Sequence, residues 1–395
     1  MWKFYFQVIP VLAWGVALLA GVLPLKLRTR TFLLVAVVLA ACFGKFAFFA
    51  LVGGDAFVPN LPPGVIWTYG GVYGAAMFFA AFACAARLID VPFALCHRPV
   101  ALRTKRVRSV VLALLAAATA GWGMYEGVSM PAVKRVEVAW DELPAAFDGY
   151  RIVQLSDIHC STAARRGRIE GIVARVNALG ADLVAITGDF VDGTVADRGH
   201  DLEPLADLKA KDGVVGCTGN HEAYWEWGAW HAKFREWKVE MLAEGHPRVI
   251  RRGGYALALG GITDPAFWGR RMPPSPAREA FVGTPDAAFR VLLFHRPFTS
   301  EIGSEEAGVR LQLSGHTHGG AFPLIHWLVA RANEGHTRGL YEFAPGRYLY
   351  NSPGTGQWAG FPIRLFNPTE ITEIVLRRRE TSDATNKKEG EHESK

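Results

Sequence analysis

Cysteine, charge and export-signal patterns are all sparse in this chain, and each shortage removes a class of explanation. Only five cysteines occur in 395 residues, and none forms a Cys-x-x-Cys pair, which excludes a zinc site built on that spacing. Cys42 and Cys84 lie in apolar stretches and Cys96 in a basic loop. Cys160 and Cys217 fall in the polar half and read as small buried residues at strand ends. Charged residues make up 20% of the chain against 50% hydrophobic, and the mean hydropathy is +0.13. That balance is unusual for a wholly soluble protein, so a membrane part is expected. No twin-arginine or Ala-x-Ala pattern accompanies the first apolar stretch, which therefore reads as a retained anchor rather than a cleaved signal. The net charge of +6 comes with basic clusters at Lys26 to Arg30, Lys105 to Arg108 and Arg377 to Arg379, not with a basic amphipathic face, so no nucleic-acid partner is expected.

Four apolar stretches are present, Phe4 to Leu25, Thr31 to Gly53, Gly64 to Ile89 and Ser109 to Val128. Each reaches the roughly 20 residues that a helix needs to cross the hydrocarbon. The expectation is a four-helix transmembrane anchor over residues 1–130, with the lipid bilayer as its partner. The first and third loops are basic, whereas Gly54 to Pro63 holds Asp55 and no lysine or arginine. The positive-inside rule then makes loops one and three cytoplasmic and puts both termini outside, although Lys3 and Lys134-Arg135 weigh the other way. A multi-pass protein of the inner (cytoplasmic) membrane with an extracytoplasmic C-terminal domain is the expected arrangement. Lys45, Arg87 and Glu126 are the ionisable residues within the spans. Arg87 and Glu126 sit at span ends, and Lys45 is long enough to snorkel. So few polar residues in the spans favour anchoring over transport.

From about Pro131 the pattern changes to short β-branched runs that end in Gly, Asp or His and precede helical stretches. The expected strands are Tyr150 to Ser156, Asp182 to Thr187 and Val214 to Thr218, with helices Arg168 to Leu179 and Leu202 to Ala210 between them. This is α/β alternation. Arg290 to Phe294, Val309 to Leu313, Tyr341 to Phe343, Arg347 to Tyr350 and Ile371 to Val375 suggest a second, mostly β sheet. Between Tyr224 and Glu240, the residues Trp227, Trp230, Phe234 and Trp237 recur at helical spacing, the mark of a helix burying one face, with Trp225 off that stripe. Glu380 to Lys395 is polar and lacks aromatics, so it is expected to be a disordered tail.

Five polar motifs directly follow apolar strands: Ser156-Asp157-Ile158-His159, Thr187-Gly188-Asp189, Thr218-Gly219-Asn220-His221-Glu222, Phe294-His295-Arg296-Pro297 and Ser314-Gly315-His316-Thr317-His318. Carboxyl ends of neighbouring strands in an open sheet line one crevice, so these side chains can converge on metal. Carboxylates, an asparagine carbonyl and imidazoles suit Mn, Fe, Zn or Ni better than Ca or Mg. Two such ions can polarise a phosphoryl group and supply hydroxide near neutral pH. Alone, Asp157-x-His159 marks a turn more often than a site, and the glycines of Gly354-Thr355-Gly356 could serve only a turn. Arg165, Arg166, Asp192 and Asp264 could contact substrate near a phosphate site, but solvated loop residues are the default reading.

In this order and at these intervals, the series resembles the calcineurin-like metallophosphoesterase superfamily over Tyr150 to Leu376, and its bacterial membrane-tethered branch in particular. The resemblance implies a two-sheet sandwich flanked by helices, forming a phosphoesterase domain over 131–379. Asp157, His159 and His318 would bind one divalent ion, Asp189 would bridge, and Asn220, His295 and His316 would hold the second, with Mn foremost. His221 would stay free of metal and act as general acid. Purple acid phosphatases carry a tyrosine where this chain has Asp192, which removes that subtype. The implied reaction is hydrolysis of a phosphate ester or pyrophosphate on a small-molecule or lipid-linked substrate. Some relatives cleave the pyrophosphate of a lipid precursor, a substrate that would require a cytoplasmic site. The alternative is a non-catalytic, metal-bound interaction module on the same anchor, which the retention of His221 and all ligands opposes.

Overall fold

The computed structural model describes residues 2–268, 276–320, 326–360 and 362–379, so the tail from Glu380 to Lys395 lies outside the described residues. Long runs of Leu, Val, Ala and Phe offer side chains nothing polar with which to compete for the backbone, and the N-terminal third is helical throughout. Helix α1 (Trp2–Val16) runs on through a π-turn and a 3-10 turn to Leu25 and is followed by α2 (Thr29–Phe43), α3 (Lys45–Gly53), α4 (Pro63–Leu95) and α5 (Leu102–Val128). Three segments, Val8–Leu25, Pro63–Leu95 and Leu102–Val128, are long and apolar enough to cross a membrane. The remaining expected span is broken instead. Helices α2 and α3 meet at Gly44 with a bend of 60°, and only as a pair do they match a span.

Lys45 follows that break and does not snorkel as expected. It is fully buried, its Nζ donates to the Gly360 carbonyl at 2.5 Å, and the rings of Phe46, Phe49 and Tyr73 lie 4.8, 5.1 and 5.5 Å away. A buried ammonium needs such partners, because leaving a desolvated ion unpaired costs on the order of several kcal/mol. Arg87 and Glu126 keep surface positions, Arg87 3.8 Å from Asp90 and Glu126 accepting the Trp122 indole at 3.0 Å.

Beyond α5 the chain builds two six-stranded mixed sheets. The first contains β1 (Ala132–Trp140), β2 (Arg151–Leu155), β3 (Leu183–Thr187), β4 (Val214–Cys217) and β5 (Val239–Met241), and the second β6 (Arg248–Arg252), β7 (Tyr255–Gly261), β8 (Phe289–Leu293), β9 (Val309–Ser314), β10 (Gly339–Ala344) and β11 (Arg347–Asn351). The last strand, β12 (Glu370–Arg378), returns to the first sheet, giving orders β1-β12-β2-β3-β4-β5 and β10-β11-β9-β8-β7-β6. Strands β2, β3 and β4 run parallel and are buried on both faces, which explains the apolar sequences of β3 and β4; in β2 the buried Gln154 donates to Thr187 Oγ1 and the Ser314 carbonyl. Helices α6 (Arg166–Leu179), α7 (Val195–Leu202) and α8 (Trp227–Glu236) cover the outer face of the first sheet. The short helices α9 (Pro276–Glu279) and α10 (His326–Arg331) accompany the second sheet. One core lies between the sheets around Trp140, Phe147, Leu293 and Leu313, and Cys217 belongs to it; Cys160 belongs to the core under α6 to α8. Both thiols are free and buried.

Two local expectations change. The helix expected over Leu202 to Ala210 starts earlier, at Val195 behind the Thr194 cap, whose side chain accepts from Asp197 N. Pro204 cannot continue it, so Leu205 reaches the core from a 3-10 turn. The tryptophan-rich helix is shorter than Tyr224 to Glu240. It ends before Lys238, which adopts φ +60°, and Val239 opens β5; Trp230 and Phe234 are buried as the spacing requires. Strands β1, β5, β6 and β7 have no counterpart among the expected elements. β1 is an edge strand with mostly exposed residues, and β5 is three residues long, so neither carries a burial pattern in sequence.

The sheets and the helical bundle meet through the segment after Asn351. Pro362 and Ile363 press into a groove walled by Gly70 and Gly74 of α4 and by Gly123 and Gly127 of α5. Arg364 N donates to the Gly123 carbonyl at 2.9 Å. A Cβ on Gly123 would lie 2.6 Å from Ile363 and 2.8 Å from the Arg364 carbonyl, whereas one on Gly121 meets nothing within 4 Å. Gly123→Leu is therefore expected to destabilise the junction by about 1–3 kcal/mol, and Gly121→Leu to be neutral within about 0.5 kcal/mol. Thermal unfolding of the two variants in detergent checks this, and equal melting points would refute the packing account.

Candidate metal centre

Strands β2, β3, β4, β8 and β9 each end at the same edge of the double sheet, and each hands its last residues to a tight turn. These turns bear the five motifs. Asp157, His159, Asp189, His316 and His318 all adopt left-handed backbone conformations, with φ of +50°, +47°, +52°, +71° and +47°. Residues other than glycine do so at a cost of about 1–3 kcal/mol each. Half of the ten such residues among those described are thus in this one site. The turns can approach because glycine sits between them: a Cβ on Gly219 would lie 2.2 Å from Asp189 Oδ1, and one on Gly315 1.9 Å from Ser156 Oγ.

The side chains converge. His159 Nε2 lies 3.2 Å from His318 Nε2, and His318 Nε2 is 3.5 Å from Asp157 Oδ1. Asp189 Oδ2 is 3.7 Å from His159 Nε2 and 3.2 Å from His295 Nε2. His316 Nδ1 approaches His295 Nε2 at 3.3 Å. Donor atoms of Asp157, His159 and His318 form one group that could hold an ion, those of Asp157, Asp189 and His295 another, and those of His159, Asp189 and His221 a third. Asn220 Oδ1 is buried and has no hydrogen-bond partner among the described residues. Six of the residues read as ligands in the sequence, Asp157, His159, Asp189, His295, His316 and His318, thus lie within a few ångströms of one another, and Asn220 directly precedes His221, whose N–H donates to Asp189 Oδ1 at 2.9 Å. Asp157 and Asp189 are buried, yet among the described residues only histidines come within ion-pair distance of them. Buried carboxylates, paired imidazole nitrogens and an orphaned amide oxygen fit divalent transition-metal cations.

The surrounding groups fix which nitrogen faces the centre. His295 Nδ1 lies 2.7 Å from the Thr187 carbonyl, to which it can donate, leaving Nε2 toward Asp189. Asp192 holds two histidines at once, His159 Nδ1 at 3.1 Å and His221 Nδ1 through its other oxygen. Burial pulls the His221 imidazole down, but the Asp189 and Asp192 carboxylates outweigh it and raise it to about 10. Burial also lowers His316 and His318 well below the usual histidine range, helped by Arg296 and Arg364 respectively, so these two are neutral donors. His221 Nε2 stands 3.9 Å from Asp189 Oδ2.

Several contributors were not legible as such. Asp192 and Asp264 are fully buried rather than solvated. Asp264 pairs with Arg296 through two contacts of 2.8 and 3.0 Å. Glu222 accepts the backbone N–H groups of Asp189, Phe190 and Gly219 at 2.9, 2.7 and 2.7 Å, tying the β3 turn to the β4 turn. Its only signal was a place two residues after Asn220. Arg364 reaches His318 Nδ1 at 3.0 Å and had no signal at all. Arg166 remains at the surface with Glu170 and Glu203, and Arg165 is exposed. The Gly354-Thr355-Gly356 turn lies against the site: Thr355 N and Gly356 N donate to the Ser156 and Asp157 carbonyls at 2.7 and 3.0 Å.

Comparison with known proteins agrees with this geometry. The sequence pattern of the calcineurin-like phosphoesterase family matches residues 150–320. A "Transmembrane protein with metallophosphoesterase domain" from Danio rerio is 32% identical over 317 residues, covering 78% of this chain and 72% of its own length. A Bos taurus protein of the same description is 32% identical over 267 residues, covering 64% and 59%. An "Uncharacterized metallophosphoesterase" of Helicobacter pylori is 30% identical over 263 residues, covering 64% and 66%. The chain thus spans less than two thirds of the bovine relative.

Glu222 and Asp192 can be separated by substitution. Glu222→Ala strands three buried N–H groups, each worth about 1–3 kcal/mol, and is expected to lower the melting point and the bound metal together. Asp192→Asn should leave the melting point nearly unchanged while weakening metal binding about 10- to 100-fold. Metal titration beside thermal unfolding measures both, and unchanged metal affinity in Asp192→Asn would remove its assigned role.

Proposed function

Because the chain belongs to the calcineurin-like metallophosphoesterase family, we propose that this phosphoesterase cleaves a phosphate ester or pyrophosphate at the centre formed by Asp157, His159, Asp189, Asn220, His295, His316 and His318. The observation that supports the proposal is the convergence of His159, His295, His316 and His318 on the buried carboxylates of Asp157 and Asp189, with no lysine or arginine in ion-pair reach among the described residues. Two divalent cations, Mn foremost, would supply hydroxide near neutral pH and neutralise charge on the phosphoryl oxygens when bound.

The protein's own groups do the rest. Asp157, His159 and His318 would hold one cation and Asn220, His295 and His316 the other, with Asp189 between them. The carboxylate of Asp192 fixes the His221 ring through Nδ1, which leaves Nε2 to give its proton to the departing oxygen. The adjacent carboxylates favour the protonated ring against the pull of burial, which is the form a general acid needs. His295, raised to about 10 chiefly by Asp189 against the pull of burial, must lose a proton to bind metal. Cation uptake should therefore weaken as pH falls.

The substrate proposed is a phosphate presented at a membrane, with the anchor formed by the apolar helices. Two contacts support this. Trp358 stacks on Phe57 of the α3–α4 connection at 5.8 Å and meets the His221 ring edge-on at 6.2 Å; Thr162, three residues after His159, donates to the Pro59 carbonyl at 2.9 Å. The helical part thus stands directly beside the reacting groups. The basic loops argue for an extracytoplasmic catalytic unit.

In mild detergent with Mn, the protein is expected to hydrolyse bis-p-nitrophenyl phosphate or p-nitrophenyl phosphate, to lose this activity to a chelator and to regain it with Mn. Asp189→Asn should reduce the rate by at least about a hundredfold, and His221→Ala by about a hundredfold or more with bound metal retained. Full activity in Asp189→Asn would sink the two-metal reading. A reporter that works only in the cytoplasm, fused after Lys395, should be silent; a signal from it would reverse the orientation.

A further inference from the structure

Large apolar side chains of the catalytic unit stay uncovered among the described residues, at Phe366 beside α5 and on α10. Phe366 is 70% exposed, Trp327 63% and Leu328 49%. Phe366 also adopts φ +55°, a conformation costly for an aromatic residue, and the Arg338 guanidinium holds its carbonyl at 2.7 Å. The backbone is therefore fixed in a strained turn that keeps a phenyl ring in the open. The His318 to Gly320 turn is bordered by Asn367 at Gly319 and by His326 at Gly320; Trp327 follows His326, which meets Thr337 Oγ1 at 2.9 Å, one residue before Arg338.

This rim is continuous with the apolar helices. Asn367 N donates to Glu126 Oε2 at 3.3 Å, and the other Glu126 oxygen accepts the Trp122 indole. Trp122 and Tyr125 are themselves 53% and 62% exposed on the last turns of α5, the position of an interfacial aromatic belt. Phe366 is thus one residue from a contact with that belt. Arg331 and Arg338 are exposed beside the rim, and aromatic residues mixed with arginine suit the boundary between anionic headgroups and acyl chains.

We propose that Trp327, Leu328 and Phe366 form a membrane-docking rim that seats in the headgroup–acyl boundary of the bilayer crossed by α4 and α5. The proposal rests on those helices spanning a bilayer and not on the reaction. Its consequence for the site is direct, because Asn367 Nδ2 donates to the His318 carbonyl. Seating the rim holds the His318 side of the metal centre at the level of lipid phosphates.

The test places p-benzoylphenylalanine, one position at a time, in the full chain reconstituted in nanodiscs of phosphatidylcholine and phosphatidylglycerol, followed by irradiation and mass spectrometry. Positions Phe366 and Trp327 test the rim. Leu115, exposed on α5, is the lipid-facing reference; Tyr255, exposed at the far end of β7, is the aqueous one. Lipid adducts at Phe366 and Trp327 are expected about tenfold above those at Tyr255 and comparable with Leu115. Adducts to a second copy of the chain, or lipid no higher than at Tyr255, would overturn the rim while leaving the spanning helices intact. Lipid missing at Leu115 as well would overturn the spanning helices and the rim together. Neither result depends on catalytic activity.

Discussion

Two carboxylates, Asp157 and Asp189, are buried side by side with, among the described residues, only histidines in ion-pair reach, and much of this structure can be understood as the means of keeping them there. Desolvated anions are costly unless cations and hydrogen bonds compensate. The turns that bring them together bear the backbone strain, with left-handed conformations at both carboxylates and at three of the histidines. Glu222 binds the backbone of the Asp189 turn to the following one, and Asp192 orients two imidazoles. Parallel strands from two separate sheets supply the five turns, so the site exists only once both sheets have closed on their common core.

The same arrangement binds the sheets to the helices. The segment from Gln357 to Asn367 carries the Gly360 carbonyl that accepts from Lys45, the Ile363 that fills the α4–α5 groove, and the Arg364 guanidinium that meets His318. One stretch of chain thus touches the break between α2 and α3, the paired helices and the metal centre. A lysine buried inside an apolar bundle makes sense in this setting, because its partner comes from the catalytic unit and not from another helix.

How much of this can be read in advance follows from the range of each interaction. The strands β2, β3, β4, β8 and β9 are short, largely apolar and largely buried, and their ends bear polar residues that have no reason to follow such runs unless they meet. Edge strands such as β1, shaped by pairing with β12 more than half the chain away, leave no comparable trace. Asp192 and Asp264 resembled loop acids because their partners, His159, His221 and Arg296, are distant in sequence or set by folding.

The sequence by itself determined the reactive side chains, their order, the α/β alternation and the apolar helices, since all of these depend on residue type and short-range period. Tertiary structure decided which groups surround the ligands, where Lys45 goes, how the second apolar stretch bends and which aromatic residues stay uncovered. Those outcomes depend on contacts between residues tens to hundreds of positions apart, such as Lys45 with Gly360 and Glu126 with Asn367, and no local pattern encodes a contact of that range.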